Sequence, residues 1–119
     1  MNTQQIADRL VAHCRKGDFE AAQKELYSEN AVSIEQEATP VFAKETKGLK
    51  AIIEKGHAFG SMVQEMHAVD MSDPMVAGDS FACKLRMDAT MNGRGRVTME
   101  ELCVYETENG KIVSESFHN

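Results

Sequence analysis

The stretch from Gly78 to Tyr105 constrains the fold of this chain more than any other part of the sequence. Between positions 81 and 91 every second residue is apolar, which predicts a long, half-buried β-strand. Asn92–Gly95 contains an asparagine and two glycines that suit a hairpin turn, and a second strand is predicted over 97–106. A hairpin of this length has to twist or bend. The sequence therefore predicts a curved sheet with one apolar face that other elements must cover.

Length, composition and charge limit the class of protein. The 119 residues are 42% hydrophobic, which predicts one globular domain over residues 1–119. The net charge of −6 argues against a nucleic-acid partner. No apolar run is long enough to span a membrane, and Asp8 and Arg9 interrupt any leader-like segment. We therefore expect a cytoplasmic protein with neither a nucleic-acid nor a membrane partner.

The cysteines and histidines show no pattern of a cofactor site. Cys14, Cys83 and Cys103 are far apart in the sequence and lie in apolar stripes, which predicts reduced, buried thiols. Two of them could pair if they faced each other, but nothing in the spacing demands it. No spacing of histidines or paired cysteines suits a metal ion. We expect neither a metal nor another cofactor.

Periodicity along the rest of the chain predicts two helices, a strand, a third helix and four strands, an α+β order with helices first. The third helix carries Gly56 and Gly60, which close helix-to-sheet packing or a frayed helix end would explain. The residues between the first strand and this helix are predicted to form a loop around Pro40. The first strand is predicted over 31–35 and the last over 111–118.

Four short motifs are distributed over the whole chain in this order. They are Lys16-Gly17-Asp18, Ser28-Glu29-Asn30-Ala31-Val32, Gly48-Leu49-Lys50-Ala51-Ile52 and Asn109-Gly110-Lys111-Ile112-Val113. With the order of elements, they resemble the nuclear transport factor 2-like (NTF2-like) superfamily, and most of all its SnoaL-like branch. The resemblance implies a cone-shaped fold, with three N-terminal helices packed in a strongly curved antiparallel sheet around an apolar pocket. It implies no single activity, because isomerases, cyclases and proteins without known chemistry share this fold.

The ketosteroid isomerases of this superfamily allow a comparison residue by residue. The resemblance puts their general base on Glu35, which keeps a carboxylate. It puts their tyrosine donor on Leu10, which cannot donate, and their protonated aspartic acid on or beside Cys103, two residues from Glu101. A base without an oxyanion hole loses several kcal/mol of transition-state stabilisation. Steroid isomerisation is therefore not expected.

Glu35 and His67 are the candidate catalytic residues. Glu35 is either a solvated carboxylate at a strand end or a general acid or base in the pocket. His67 shares the parity of Val69 and Met71 in a predicted strand. A histidine there is more often a satisfied core residue, but an imidazole could also exchange protons near neutral pH.

The ligand-binding candidates depend on the register of the hairpin. A four-residue turn over 92–95 would pair Arg86 with Glu101 and turn Glu101 outward, whereas an extra bulged residue at Gly95 would turn it inward. The resemblance favours the inward register. Buried glutamates would then need Tyr105 or His67 as a partner, or a proton. The predicted pocket residues are Met87, Met99, Glu101, Cys103, Tyr105, Glu115 and Phe117.

Two functions remain open from the sequence. One is acid–base chemistry on a small apolar or carbonyl-bearing molecule, and the other is a non-catalytic ligand-binding or association domain. The outer face of the hairpin carries Lys84, Arg86 and Asp88, with Leu102 and Val104 nearby. Such a face is solvated or forms the interface of a homodimer, and the resemblance favours the homodimer.

Overall fold

The computed structural model describes residues 1–119 and has an α+β fold in which three helices pack against a curled sheet. The predicted order of elements is confirmed, with two three-residue strands added, one at the end of the predicted loop before the third helix and one directly before the long hairpin. The elements are α1 (Thr3–Arg15), α2 (Phe19–Leu26), β1 (Tyr27–Ile34), β2 (Glu45–Lys47), α3 (Leu49–Met62), β3 (Val63–Met71), β4 (Met75–Ala77), β5 (Ser80–Met91), β6 (Gly95–Glu108) and β7 (Lys111–His118).

The sheet has seven strands and remains open. Its order is β2-β1-β7-β6-β5-β3, and β4 pairs with β5. All strand pairs are antiparallel except β1 with β7, which run parallel. The expected antiparallel sheet therefore contains one parallel pair. The first and last strands of the chain, β1 and β7, are neighbours in the sheet. This pairing brings Ser33 opposite Glu115.

The β5–β6 hairpin has the inward register. Met91 pairs with Gly95, which leaves a turn of three residues, and Gly95 has a φ of 81°. This left-handed conformation favours glycine and is typical of a bulge after a hairpin turn. Leu85 consequently lies opposite Glu101, on the concave face of the sheet.

Apolar side chains from the helices and the concave face form one core. The inward face of α1 contributes Ile6, Leu10 and Cys14, and β5 contributes alternate residues beginning with Phe81. Phe81 stacks on Tyr105 of β6 with ring centroids 4.8 Å apart. None of the three helices has the length and apolar character of a membrane span.

The three cysteines are free and buried in this core. Cys83 lies directly opposite Cys103 on the neighbouring strand. Burial raises the pKa of the Cys14 thiol to about 12 and that of Cys83 to about 11. Thiols with such pKa values carry little thiolate at neutral pH, so they act as small apolar side chains.

Candidate functional site

A cavity of about 690 Å³ lies between the helices and the concave face of the sheet. More than half of its lining residues are hydrophobic, including Leu10 of α1, Ile52 and Phe59 of α3, and Met71 of β3. This volume and lining are in the range of small-molecule sites. Six of the predicted ligand-binding residues and Glu35 line this cavity: Glu35, Met87, Met99, Glu101, Tyr105, Glu115 and Phe117.

Cys103 does not line the cavity, contrary to the prediction. Its side chain is fully buried, opposite Cys83 on one side and Phe117 on the other. Cys103 does lie on the inward parity of β6, as predicted. At this position, however, core side chains pack against the sheet, so the cavity does not reach Cys103. Cys103 is therefore a packing residue.

His67 also lies outside the cavity, and the reason is a break in the register of β3. Met66 pairs with Ala89 and Ala68 with Asp88, so His67 is an extra residue in a bulge. Its Nε2 lies 2.7 Å from the Thr90 hydroxyl on the outer face. A bulge shifts the alternation of side chains by one position, so the parity shared with Val69 did not apply. His67 cannot assist Glu35 in this arrangement.

A buried hydrogen-bond network holds Glu115 of β7. Tyr27 and Ser33 both donate hydroxyl hydrogen bonds to its carboxylate, Ser33 at 2.6 Å. Burial raises the pKa of Glu115, and these two hydrogen bonds and Lys55 oppose the rise. Burial, followed by the Glu115 charge, also raises the pKa of the Tyr27 hydroxyl well above its ordinary value. The partners of Glu115 are therefore Tyr27 and Ser33, instead of the Tyr105 or His67 that the sequence suggested.

Lys55 of α3 places a positive charge at the cavity wall. Its Nζ lies 2.9 Å from Ser33 Oγ, 3.6 Å from Glu35 Oε1 and 5.3 Å from the centre of the Phe117 ring. The Lys55 and Glu35 side chains are 15% and 24% exposed, so their ion pair is partly shielded from water. Glu35 thus faces the cavity as one partner of an ion pair.

Glu101 is a cavity carboxyl group whose pKa lies near neutral pH. It is half-buried and accepts no hydrogen bond or ion pair from another side chain. Burial raises its pKa to about 7, with smaller contributions from the charges of Glu35 and Glu115, while Lys55 lowers it. A group with this pKa can both accept and donate a proton near neutral pH.

Sequence reasoning missed Lys55, Tyr27 and Ser33. Helical spacing could have found Lys55, because it is three residues after Ile52 and four before Phe59 on the inward face of α3. Ser33 lies between Ala31 and Glu35 on one parity of β1, which could have marked it. Tyr27 begins β1 directly after α2, and no periodicity crosses that junction.

No group of three or more His, Cys, Asp or Glu side chains is arranged to hold a metal ion. Five glutamates, His57, Lys55 and apolar walls line the cavity. Of the glutamates, Glu35 forms an ion pair with Lys55, and the Lys55 charge lowers the pKa of Glu101 and of Glu115. Acid–base chemistry on an uncharged molecule is what such side chains can carry out by themselves.

The three helices in a curled, open sheet define an NTF2-like fold. The chain belongs to the SnoaL-like domain family, whose model matches residues 1–119. Among curated proteins, no sequence matches this chain significantly.

Solved structures of similar proteins have the same fold. A candidate SnoaL-like polyketide cyclase from Mesorhizobium loti is 29% identical, with a TM-score of 0.91 over 100% of both chains. An NTF2-like protein from Burkholderia thailandensis is 18% identical, with a TM-score of 0.83 over 98% of this chain and 89% of that one. TerC, crystallised with polyporic acid, is 14% identical, with a TM-score of 0.73 over 96% of this chain and 86% of that one.

Proposed function

We propose that this protein catalyses proton transfer on a small, apolar, carbonyl-bearing compound bound in the cavity. Glu101 is the proposed general base and acid, and the Lys55 ammonium group is proposed to stabilise the developing negative charge on oxygen. The observation that carries this proposal is a carboxyl group with a pKa of about 7 in the same apolar cavity as a shielded ammonium group.

Glu101 suits the role of base because of its surroundings. Its carboxylate would accept a proton from the carbon next to the carbonyl, and the electron pair of the broken C–H bond would form an enolate. The resulting carboxylic acid would return a proton to the same or another carbon. A base with a pKa near the working pH combines a large fraction of the active form with adequate proton affinity.

Lys55 suits the role of oxyanion donor because its hydrogen-bonding capacity is not used up. The ammonium group has three donors, and Ser33 accepts one of them at 2.9 Å. The 3.6 Å contact with Glu35 is longer than a hydrogen bond and is an ion pair only. A carbonyl oxygen entering the cavity could take a remaining donor. Lys55 would thereby replace the donor that the position of Leu10 cannot supply.

Glu35 keeps a role in this proposal, although a different one from the leading base. Its charge fixes the Lys55 ammonium group and helps to raise the pKa of Glu101. The Glu35 carboxylate is already engaged by the Lys55 ammonium group, whereas the Glu101 carboxyl group has no such partner. We therefore propose Glu35 as the positioning partner of Lys55.

The relatives support a small organic ligand. One neighbour of the fold was crystallised with polyporic acid, and the 29% identical relative is a candidate polyketide cyclase. The apolar lining of the present cavity suits an uncharged, flat or aliphatic molecule of similar character.

Exchange of α-protons in D₂O tests this function without knowledge of the natural substrate. We expect the protein to accelerate the loss of the 1-indanone α-CH₂ signal in ¹H NMR at least tenfold over buffer, and Glu108→Gln to match it because Glu108 is exposed and outside the cavity. Binding of 1-indanone without exchange would contradict the proposal and favour the alternative, a non-catalytic ligand-binding domain.

We also propose a homodimer through the outer face of the sheet. Leu102 is 46% exposed on this face. It lies opposite Lys84 on the neighbouring strand, and Lys84 forms an ion pair with Glu100. Sedimentation at micromolar concentration should give about twice 13.2 kDa, and Leu102→Glu should give a monomer. A monomeric parent protein would refute this proposal.

A further inference from the structure

A second concavity lies between the C-terminal half of α3 and the edge strand β3. Its volume is about 580 Å³, and we name it the outer groove. The outer groove and the cavity have four lining residues in common: Gly17, Phe19, Gly56 and Phe59. The two spaces therefore adjoin at one wall, which is made of two phenylalanines and two glycines.

The glycines of α3 have no packing role, contrary to the explanation that the sequence suggested. A Cβ atom added at Gly56 or Gly60 would meet no atom within 4 Å, and the helix continues to Met62 without fraying. Glycine inside a helix costs about 1 kcal/mol relative to alanine. Close packing therefore does not explain either glycine. The open space beside each of them is the feature that a side chain would change.

The lining of the outer groove is partly apolar and partly polar. Val63, Met66 and Val69 of β3 contribute an apolar strip, whereas Gln64, Glu65 and His67 of the same strand and Arg15 and Lys16 at the end of α1 contribute polar groups. β3 is the edge strand of the sheet, so no further strand covers this side. The apolar strip is the part of the groove that suits an aliphatic chain.

We propose that the outer groove binds the alkyl tail of a ligand whose carbonyl group lies in the cavity, with the tail passing Gly56 between Phe19 and Phe59. This inference rests on the proposed function for the position of the carbonyl group. It adds the ligand class, which is an aliphatic carbonyl compound too long for the cavity alone. Each methylene buried in the groove should tighten binding about fourfold.

Methionine methyl groups report on the two spaces separately. Met71, Met87 and Met99 line the cavity, and Met66 lines only the outer groove. In protein with ¹³C-labelled methionine methyl groups, 2-hexanone should shift the cavity signals only. 2-Dodecanone should shift the cavity signals and Met66 together, with one binding constant.

Three leucine substitutions on α3 test where the tail lies. Gly56→Leu narrows the shared wall, and Gly60→Leu fills the groove without touching the cavity. Both should abolish the Met66 shift with 2-dodecanone and weaken its binding at least tenfold. Gly60→Leu, which adds no side chain to the cavity, should leave 2-hexanone binding within twofold. Glu54→Leu is the matched control, since Glu54 is exposed and lines neither space, and it should leave both ketones unchanged. Leucine favours helix over glycine, so the thermal midpoints of the two glycine variants should not fall.

The outcomes separate this inference from the proposed function. The tail site would be refuted if 2-dodecanone still shifted the Met66 signal in both glycine variants. It would also be refuted if 2-dodecanone did not shift that signal in the parent protein. Because the readout is binding, a protein without α-proton exchange can still show the chain-length pattern, which would support the tail site while refuting the catalysis. Exchange without the pattern would refute the tail site alone.

Discussion

Replacing Glu101 with glutamine is expected to slow α-proton exchange of 1-indanone by roughly 10²- to 10⁴-fold, which is the range for losing a general base. Glutamine keeps the size of the side chain and cannot accept the proton. The pKa of about 7 identifies Glu101 as the group that changes protonation in the working range. Exchange is measured by ¹H NMR at constant ketone concentration. An exchange rate within threefold of the parent protein would remove Glu101 from the mechanism.

The same variant should be more stable than the parent above neutral pH. The folded pKa of Glu101 is raised above its unfolded value, so the folded state holds the proton more tightly, and stability falls as pH rises between about 4.5 and about 7. The shift corresponds to about 3 kcal/mol at most, and partial exposure reduces this to about 2 kcal/mol. In urea titrations, Glu101→Gln should gain this amount relative to the parent between pH 4 and pH 8. Slower exchange combined with higher stability is typical of a residue kept for function.

Replacing Lys55 with methionine is expected to slow exchange by roughly 10²- to 10³-fold, as does the loss of one oxyanion donor. Methionine keeps the length and the apolar part of the side chain but removes the charge. Because Lys55 lowers the pKa of Glu101, the variant should also shift the pH dependence of exchange upward. This shift separates a catalytic effect from a packing defect.

Lys50→Met provides the control for Lys55. Lys50 is exposed on the same helix, forms no ion pair and does not line the cavity. Its replacement should change exchange by less than twofold. Equal losses in both variants would mean that the overall charge of the protein matters, and not an ammonium group at the cavity wall.

Features of the sequence that depend on local periodicity predicted the structure well. The alternation from Phe81 to Met91 correctly predicted which side chains of β5 face inward, because a strand that is buried on one side alternates buried and exposed residues. The inward register of Glu101 was also predicted, but it arises from a three-residue turn that is followed by Gly95, whose positive φ few other residues adopt without strain, and not from an extra residue within the strand. The resemblance added the global arrangement, which local patterns do not contain.

The arrangement of the site was less predictable because it depends on contacts between distant segments. The partners of Glu115 come from 88 and 82 positions away in the chain, so no local pattern pairs it with Tyr27 or Ser33. His67 was predicted wrongly because a bulge leaves no mark in a sequence of mixed polarity. The pKa of Glu101 depends on burial and on the charges of Glu35, Glu115 and Lys55, which come close to it only once the chain has folded.

In the proposed mechanism, the cavity keeps Glu101 ready to exchange protons near neutral pH. Titration of the Glu101 carboxyl carbon by ¹³C NMR measures this property, with Glu101→Gln to assign the signal. We predict a pKa of about 7, which should rise further in the Lys55→Met variant. A pKa close to the unperturbed value of about 4.3 would contradict this mechanism, because Glu101 would then be a weak, solvated base.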